Sequence, residues 1–276
     1  MISKKEIIEV NGEVISLTVD KPNEGDCKGS VLITPAFGIT AKRIFSLSYF
    51  LTQNGFKVYR MDFRNHVGES SGKISDSSLS KQVEDVISAV NFTKCNVIVS
   101  MSLSARATLR ALGALDKELN TVFIAPVVDV RHTLTEASDE NVFEAYFAGN
   151  PSAEVLGYSI NASFIEDCIK NNFETFETTL DDVKGIKGKL SFIAGTSDPW
   201  VSFNQVKKAI SFAKNLEKEV QLIPVESASH KIDRNPKVAL AYFEFATREC
   251  LKLMNEDGDD LVVPDFREII QAANKN

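Results

Sequence analysis

An α/β architecture with a mostly parallel central sheet and helices on both faces is predicted for this chain of 276 residues. Three observations predict it. From about residue 30, short apolar runs alternate with longer segments of helical period, the pattern of strand–helix–strand units. One such run, Val97-Ile98-Val99, passes through Ser100-Met101-Ser102-Leu103-Ser104 straight into a helical segment, the shape of a tight strand-to-helix elbow. The alternation lapses between about residues 127 and 185 and then resumes, which points to an insertion above the sheet.

The elements run in order along the chain. Residues 6–19 alternate apolar and polar about Asn11-Gly12, a hairpin signal. Val31-Leu32-Ile33 reads as a short buried strand running into Thr34-Pro35-Ala36-Phe37-Gly38. A helix over about 42–53 places Ile44, Leu47, Phe50 and Leu51 on one face, and Gly55 stops it. Lys57–Met61 is the next strand, ending in the loop Asp62–Ser70. Leu79, Val83, Val86, Ile87 and Val90 mark an amphipathic helix. The elbow strand, the elbow helix at about 103–115 and a strand at 121–125 come next. Beyond the insertion, strands at 189–194 and 219–224 alternate with helices at about 203–216 and 236–254. The expected division is a core of residues 1–126 and 186–255, a helical cap over 127–185, and an acidic, weakly helical surface tail over 256–276.

Ser102 is the expected nucleophile. Only small side chains fit two places either side of an elbow nucleophile; here both are serines, Ser100 and Ser104. Such a serine needs a base, and the base needs an acid that holds its tautomer. Of the three histidines, His66, His132 and His230, only His230 lies late in the chain, just behind the strand at 219–224. Asp198 follows the strand at 189–194. The order Ser102, Asp198, His230 is that of elbow hydrolases, each residue at a strand's C-terminal end. Asp129 is an alternative acid. Ser104 is a poorer nucleophile because Arg106 sits two places on, and Ser100 lies inside the strand. His66 is expected to be structural, and His132 to sit at the base of the insertion with a polar partner.

Composition narrows the function. A net charge of -7 argues against a general nucleic-acid surface. No apolar run of about 18 residues exists, so no membrane span is expected. The start, Met1-Ile2-Ser3-Lys4-Lys5-Glu6, lacks the apolar stretch of a signal peptide. Cys27, Cys95, Cys168 and Cys250 have neither metal-ligand spacing nor close pairing, so free thiols in a cytoplasmic protein are expected. There is no glycine-rich phosphate loop and no His/carboxylate cluster, so neither cofactor nor metal is expected.

With elbow, acid loop, base loop and insertion in place, the chain resembles the serine α/β-hydrolases, and within them the bacterial luminescence acyl transferases. Those enzymes are myristoyl-ACP thioesterases that feed a fatty acid reductase. The resemblance rests on Ser102–Arg106, His66–Gly72, Phe173–Lys184, Asp198–Val201 and Ser229-His230, and runs from about residue 30 to 235. It implies an α/β-hydrolase fold with a helical cap insertion. It further implies that Ser102 attacks the carbonyl of a medium- or long-chain acyl thioester on acyl carrier protein or CoA. His230 would take the proton, with Asp198 orienting it. The backbone N–H groups of Leu103 and Phe37, with Ala36 as alternative, would hold the oxyanion. Water or an acyl-accepting enzyme would take the acyl group.

The insertion is rich in large apolar side chains. Phe143, Phe147 and Phe164, together with Trp200, are expected to line an acyl pocket. An acidic carrier would need a local basic patch, for which Lys42, Arg43, Arg64 and Arg106 are candidates by proximity in sequence. A carboxylesterase for small oxygen esters, a related enzyme of a lipid or polyketide pathway, and a non-catalytic binding protein are the rival expectations.

Overall fold

The computed structural model describes all residues except 24, 233, 234, 257 and 274–276. Strands β1 (Ile2–Val10) and β2 (Glu13–Lys21) form the expected hairpin. Its two-residue turn, Asn11-Gly12, has φ of 52° and 81°, the positive pair that suits a right-handed strand twist. β2 then pairs antiparallel with β4 (Phe56–Met61).

From there inward the sheet is parallel. β3 (Gly29–Thr34), β5 (Val97–Met101), β6 (Asn120–Ile124), β9 (Leu190–Gly195) and β10 (Val220–Val225) complete eight strands in the order β1-β2-β4-β3-β5-β6-β9-β10. Burial on both faces explains why these strands read as apolar runs. Val31, Ile33, Val97 and Val99 point into one core, and Leu32 and Ile98 into the other.

After β3 the chain steps outward to β4, then returns across β3 to β5. The carboxyl ends of β3 and β5 therefore flank the switch point of the sheet, where open α/β folds form a crevice. The elbow sits at the end of β5.

The core helices are α1 (Phe45–Gln53), α2 (Leu79–Thr93), α3 (Ser104–Ala114), α8 (Phe203–Asn215) and α9 (Pro236–Leu253). Ser78, Ser202 and Asn235 cap α2, α8 and α9 with side-chain oxygens on the free N–H groups of the first turn. α1 starts three residues later than the periodicity suggested, because 41–44 form turns.

The insertion contains α4 (Val130–Ala137), α5 (Val142–Phe147), α6 (Ala162–Lys170) and α7 (Phe176–Lys184). It also contains an unexpected hairpin, β7 (Ser152–Val155) with β8 (Tyr158–Asn161), turning on Leu156-Gly157 at φ 53° and 81°. α7 lies against α3 and α8, where Arg106 and Arg110 both donate to Asp182.

The tail forms α10 (Phe266–Ala273) and is tied down: Asn54 pairs with both backbone groups of Val262, and Ile269 is buried. Among the described residues, no helix is long and apolar enough to cross a membrane.

Candidate active site

The elbow is strained and braced. Ser102 has φ 53°, a conformation that costs about 1–3 kcal/mol in a non-glycine residue. Its N–H donates to the Ile124 carbonyl at 2.9 Å, and its carbonyl accepts from the Val127 N–H at 3.1 Å. Serines replace glycines beside it because their hydroxyls satisfy one another. Ser100 Oγ lies 2.8 Å from Thr34 Oγ1, 3.1 Å from Ser104 Oγ and 2.9 Å from Thr108 Oγ1, all buried. Ser104 Oγ also accepts from the Met101 N–H at 3.1 Å. This knot of hydroxyls ties β3, β5 and α3 together beneath Ser102.

Three polar side chains meet in a line above the elbow. The Ser102 hydroxyl is 2.7 Å from His230 Nε2, and His230 Nδ1 is 2.7 Å from Asp198 Oδ2. Asp198 is 1% exposed in its side chain. Its other oxygen, Oδ1, accepts from the Trp200 and Val201 N–H groups, both at 2.9 Å. That cradle fixes the carboxylate, and the carboxylate sets the proton on Nδ1, leaving Nε2 free to accept from Ser102. The Trp200 ring packs against the imidazole at 4.8 Å, and the Lys231 ammonium stands 4.9 Å over that indole. Asp129, the alternative acid, is occupied elsewhere: Oδ1 caps α4 at the His132 N–H and Oδ2 accepts from Gln205.

Among the described residues, neither the Leu103 nor the Phe37 N–H has an acceptor within the protein. Leu103, Phe37 and Ala36 all line the cavity into which Ser102 opens. The Ala36–Ile39 segment is a β-turn closed by the Ile39 N–H on the Ala36 carbonyl at 3.0 Å. Gly38, its third residue, has φ 72°, as a type II turn requires.

That cavity has a volume of about 520 Å³ and mostly apolar walls, within the range of small-molecule sites. Its walls come from the turn after β3, the elbow, α4, the β7–β8 hairpin and α9. Trp200 lines this cavity, and the three insertion phenylalanines do not. Phe143 and Phe164 are buried in the interior of the insertion, and Phe147 is 65% exposed on its outer face. The lining side chains that sequence reasoning missed are Leu134 of α4, Val155, Leu156 and Tyr158 of the hairpin, and Phe243 of α9. For the hairpin residues among them the one signal was Leu156-Gly157, a turn pair between two very short strands.

The basic candidates divide. Lys42 and Arg43 are exposed, and Arg43 lines the cavity. Arg64 is buried and held by Asp85, Glu13 and Glu84, while Arg106 is buried against Asp182 and the carbonyls of Phe173 and Asn172. Neither can meet a partner. The desolvation of Asp85 pushes its carboxyl up to about 6 despite the Arg64 pair.

His66 is buried between Phe37 and Phe63, and its Nε2 accepts from the Gly38 N–H at 3.0 Å. Burial holds its pKa down to about 4. Nδ1 has no hydrogen-bond partner of good geometry, and the Val67 backbone, which favours the charged ring, does not offset the burial. The His132 ring makes no hydrogen bond among the described residues, contrary to expectation.

An eight-stranded, mostly parallel sheet with a strand-to-helix elbow at its switch point and a crevice above it is the α/β-hydrolase fold. Solved structures agree on the fold. A lipase in open form aligns at a TM-score of 0.73 with 14% identity, covering 92% of this chain and 100% of that one. Est1E from Butyrivibrio proteoclasticus, solved with ferulic acid, aligns at 0.70 with 15% identity, covering 91% and 100%.

Within that class the chain belongs to the acyl transferase family, which it matches over residues 5–276. An acyl transferase of Aliivibrio fischeri is 26% identical over 275 residues, 94% of this chain and 87% of the relative. One from Shewanella woodyi is 27% identical over 271 residues, again 94% and 87%. The resemblance drawn from the elbow, acid and base segments holds at the level of the family.

Proposed function

We propose that this protein is a serine-dependent acyl transferase or thioesterase that works through an acyl-Ser102 intermediate. The observation that carries the proposal is the Ser102–His230–Asp198 line at the floor of an apolar cavity, both links 2.7 Å. Ser102 Oγ attacks the acyl carbonyl while its proton passes to His230 Nε2. Asp198 stabilises the imidazolium that forms. The tetrahedral oxyanion is held by the Leu103 and Phe37 N–H groups, with the Ala36 N–H as the alternative second donor. The oxyanion collapses to the acyl ester and expels the carrier thiolate, which takes the proton from His230. Water, or an alcohol or thiol acceptor, then enters with His230 as base and releases the acyl group.

In this reading residues 127–185 act as the cap, and the chain works in the cytoplasm. The substrate is a medium- or long-chain fatty acyl thioester on acyl carrier protein or CoA. Two features support it. The relatives are acyl transferases. Among the described residues, Arg43 and Lys231 line the cavity besides His230, and no carboxylate does. In a chain of net charge -7, the Lys231 ammonium in the cavity wall favours an anionic carrier arm over a neutral ester.

Matched pairs test the substrate class: the same acyl chain as a CoA thioester, a carrier-protein thioester and a neutral oxygen ester, compared by kcat/KM. The thioesters should exceed the oxygen ester by about tenfold or more. An oxygen ester turned over as fast would replace the reading with a carboxylesterase.

A further inference from the structure

Two residues outside the Ser102–His230–Asp198 line grip a single glycine beside it. The Gly38 N–H donates to His66 Nε2 at 3.0 Å, and the Gly38 carbonyl accepts from the Tyr158 hydroxyl at 3.3 Å. His66 comes from the loop after β4, Tyr158 from the first residue of β8 in the cap. The Phe37 ring stands edge-on to both, with centroids 5.5 Å from His66 and 6.0 Å from Tyr158. A Cβ at position 38 would lie 2.5 Å from the Tyr158 ring, so glycine is what lets the cap approach the turn this closely.

We propose that His66 and Tyr158 are positioning residues that jointly fix the Ala36–Ile39 turn and thereby aim the Phe37 N–H at the oxyanion, one from the core and one from the cap. The inference rests on the acyl-Ser102 reading. The peptide group after Phe37 is held through the Gly38 N–H, and the one after Gly38 through its carbonyl. With the Ile39–Ala36 bond closing the turn, little freedom is left to the Phe37 N–H itself. Preorganisation of this kind matters because an oxyanion donor must already lie where charge develops.

His66 suits the task. Its depressed pKa keeps the ring neutral and Nε2 an acceptor through the neutral pH range. The core gains little from a histidine here, since Nδ1 lacks a good partner and an apolar side chain would pack without that cost. Tyr158 gives the cap its own hold on the turn, so the placement of the β7–β8 hairpin bears on the oxyanion donor as well as on the cavity wall.

The test separates oxyanion binding from cavity binding. An alkyl trifluoromethyl ketone adds the serine hydroxyl to form a hemiketal oxyanion, whereas the matching alcohol fills the same cavity without one. Inhibition constants for both, with kcat and KM, are measured for wild type, His66→Leu, His66→Gln and Tyr158→Phe. His66→Leu should weaken the ketone by about tenfold or more, below the 10²–10³ cost of deleting a donor outright, and leave the alcohol within about twofold. Its kcat should fall with KM held. His66→Gln, whose amide oxygen can accept from the Gly38 N–H, should recover most of the loss. Tyr158→Phe should weaken the ketone by roughly threefold.

A ketone-to-alcohol ratio unchanged in His66→Leu and Tyr158→Phe overturns the proposal, as does equal weakening of both ligands. Should His66→Leu not fold, the ratio in Tyr158→Phe decides. A wild-type protein that forms no ketone adduct overturns the acyl-Ser102 reading itself, so the two failures are distinguishable.

Discussion

Replacing Asp198 by asparagine changes one atom, yet the hydrogen bonds around that atom make the change decisive for the base. Oδ1 of Asp198 accepts from the Trp200 and Val201 N–H groups, both at 2.9 Å. In Asp198→Asn the amide oxygen must stay there, because turning the amide would aim its NH₂ at two donors. The NH₂ is then left facing His230 Nδ1, which accepts only if its proton moves to Nε2. Nε2 lies 2.7 Å from the Ser102 hydroxyl and, once protonated, can no longer take that proton. The wrong tautomer lowers kcat by about 10⁴ in a triad of this kind, and at 1.36 kcal/mol per tenfold this is about 5.4 kcal/mol of lost transition-state stabilisation.

Stability should barely move. The two cradle bonds survive, and a buried charge is removed, so Tm should shift by no more than about 4 °C, the equivalent of roughly 1 kcal/mol for a chain of this size. The assay is kcat on a medium-chain acyl thioester, beside a thermal melt. A folded Asp198→Asn variant within tenfold of wild-type kcat would refute the assignment of Asp198 as the orienting acid.

Other substitutions have equally definite outcomes. Phe143→Ala should cost about 3–5 kcal/mol in a urea titration yet leave acyl chain-length preference unchanged, because the ring sits in the interior of the insertion and not in the cavity wall. Ser104→Ala removes an acceptor from the buried Met101 N–H and should destabilise by about 1–3 kcal/mol, measured the same way. His66 is held at a pKa of about 4 when folded, against 6.5 for the free side chain, so between those values the unfolded chain binds more protons. Stability therefore falls as pH drops from about 6.5 toward 4, and His66→Gln should flatten that fall by up to about 1.4 kcal/mol per pH unit in paired melts.

The strands were legible because parallel strands buried on both faces are short apolar runs that little else imitates, and the elbow because its turn restricts residues to small ones. Ser102, Asp198 and His230 could be read in order because each comes after such a run. The β7–β8 hairpin was not legible: four-residue strands carry too little alternation, and Leu156 occupies a positive φ that its side chain does not advertise. The choice of Phe143, Phe147 and Phe164 failed because an apolar side chain looks the same in sequence whether it fills a core or walls a cavity. Arg64 and Arg106 were misjudged on nearness in sequence, while their acidic partners sit up to 76 residues away. Tyr158 and Gly38 lie 120 residues apart, so their contact had no sequence signal at all.

Intact mass after brief mixing with acyl carrier thioesters of graded chain length tests the central claim most directly, with Ser102→Ala as the control. The expected result is a single added acyl mass on the wild type, mapped to the peptide bearing Ser102 and missing from the variant. An adduct that persists in folded Ser102→Ala, or wild-type turnover with no adduct from any chain even on rapid quenching, would contradict it.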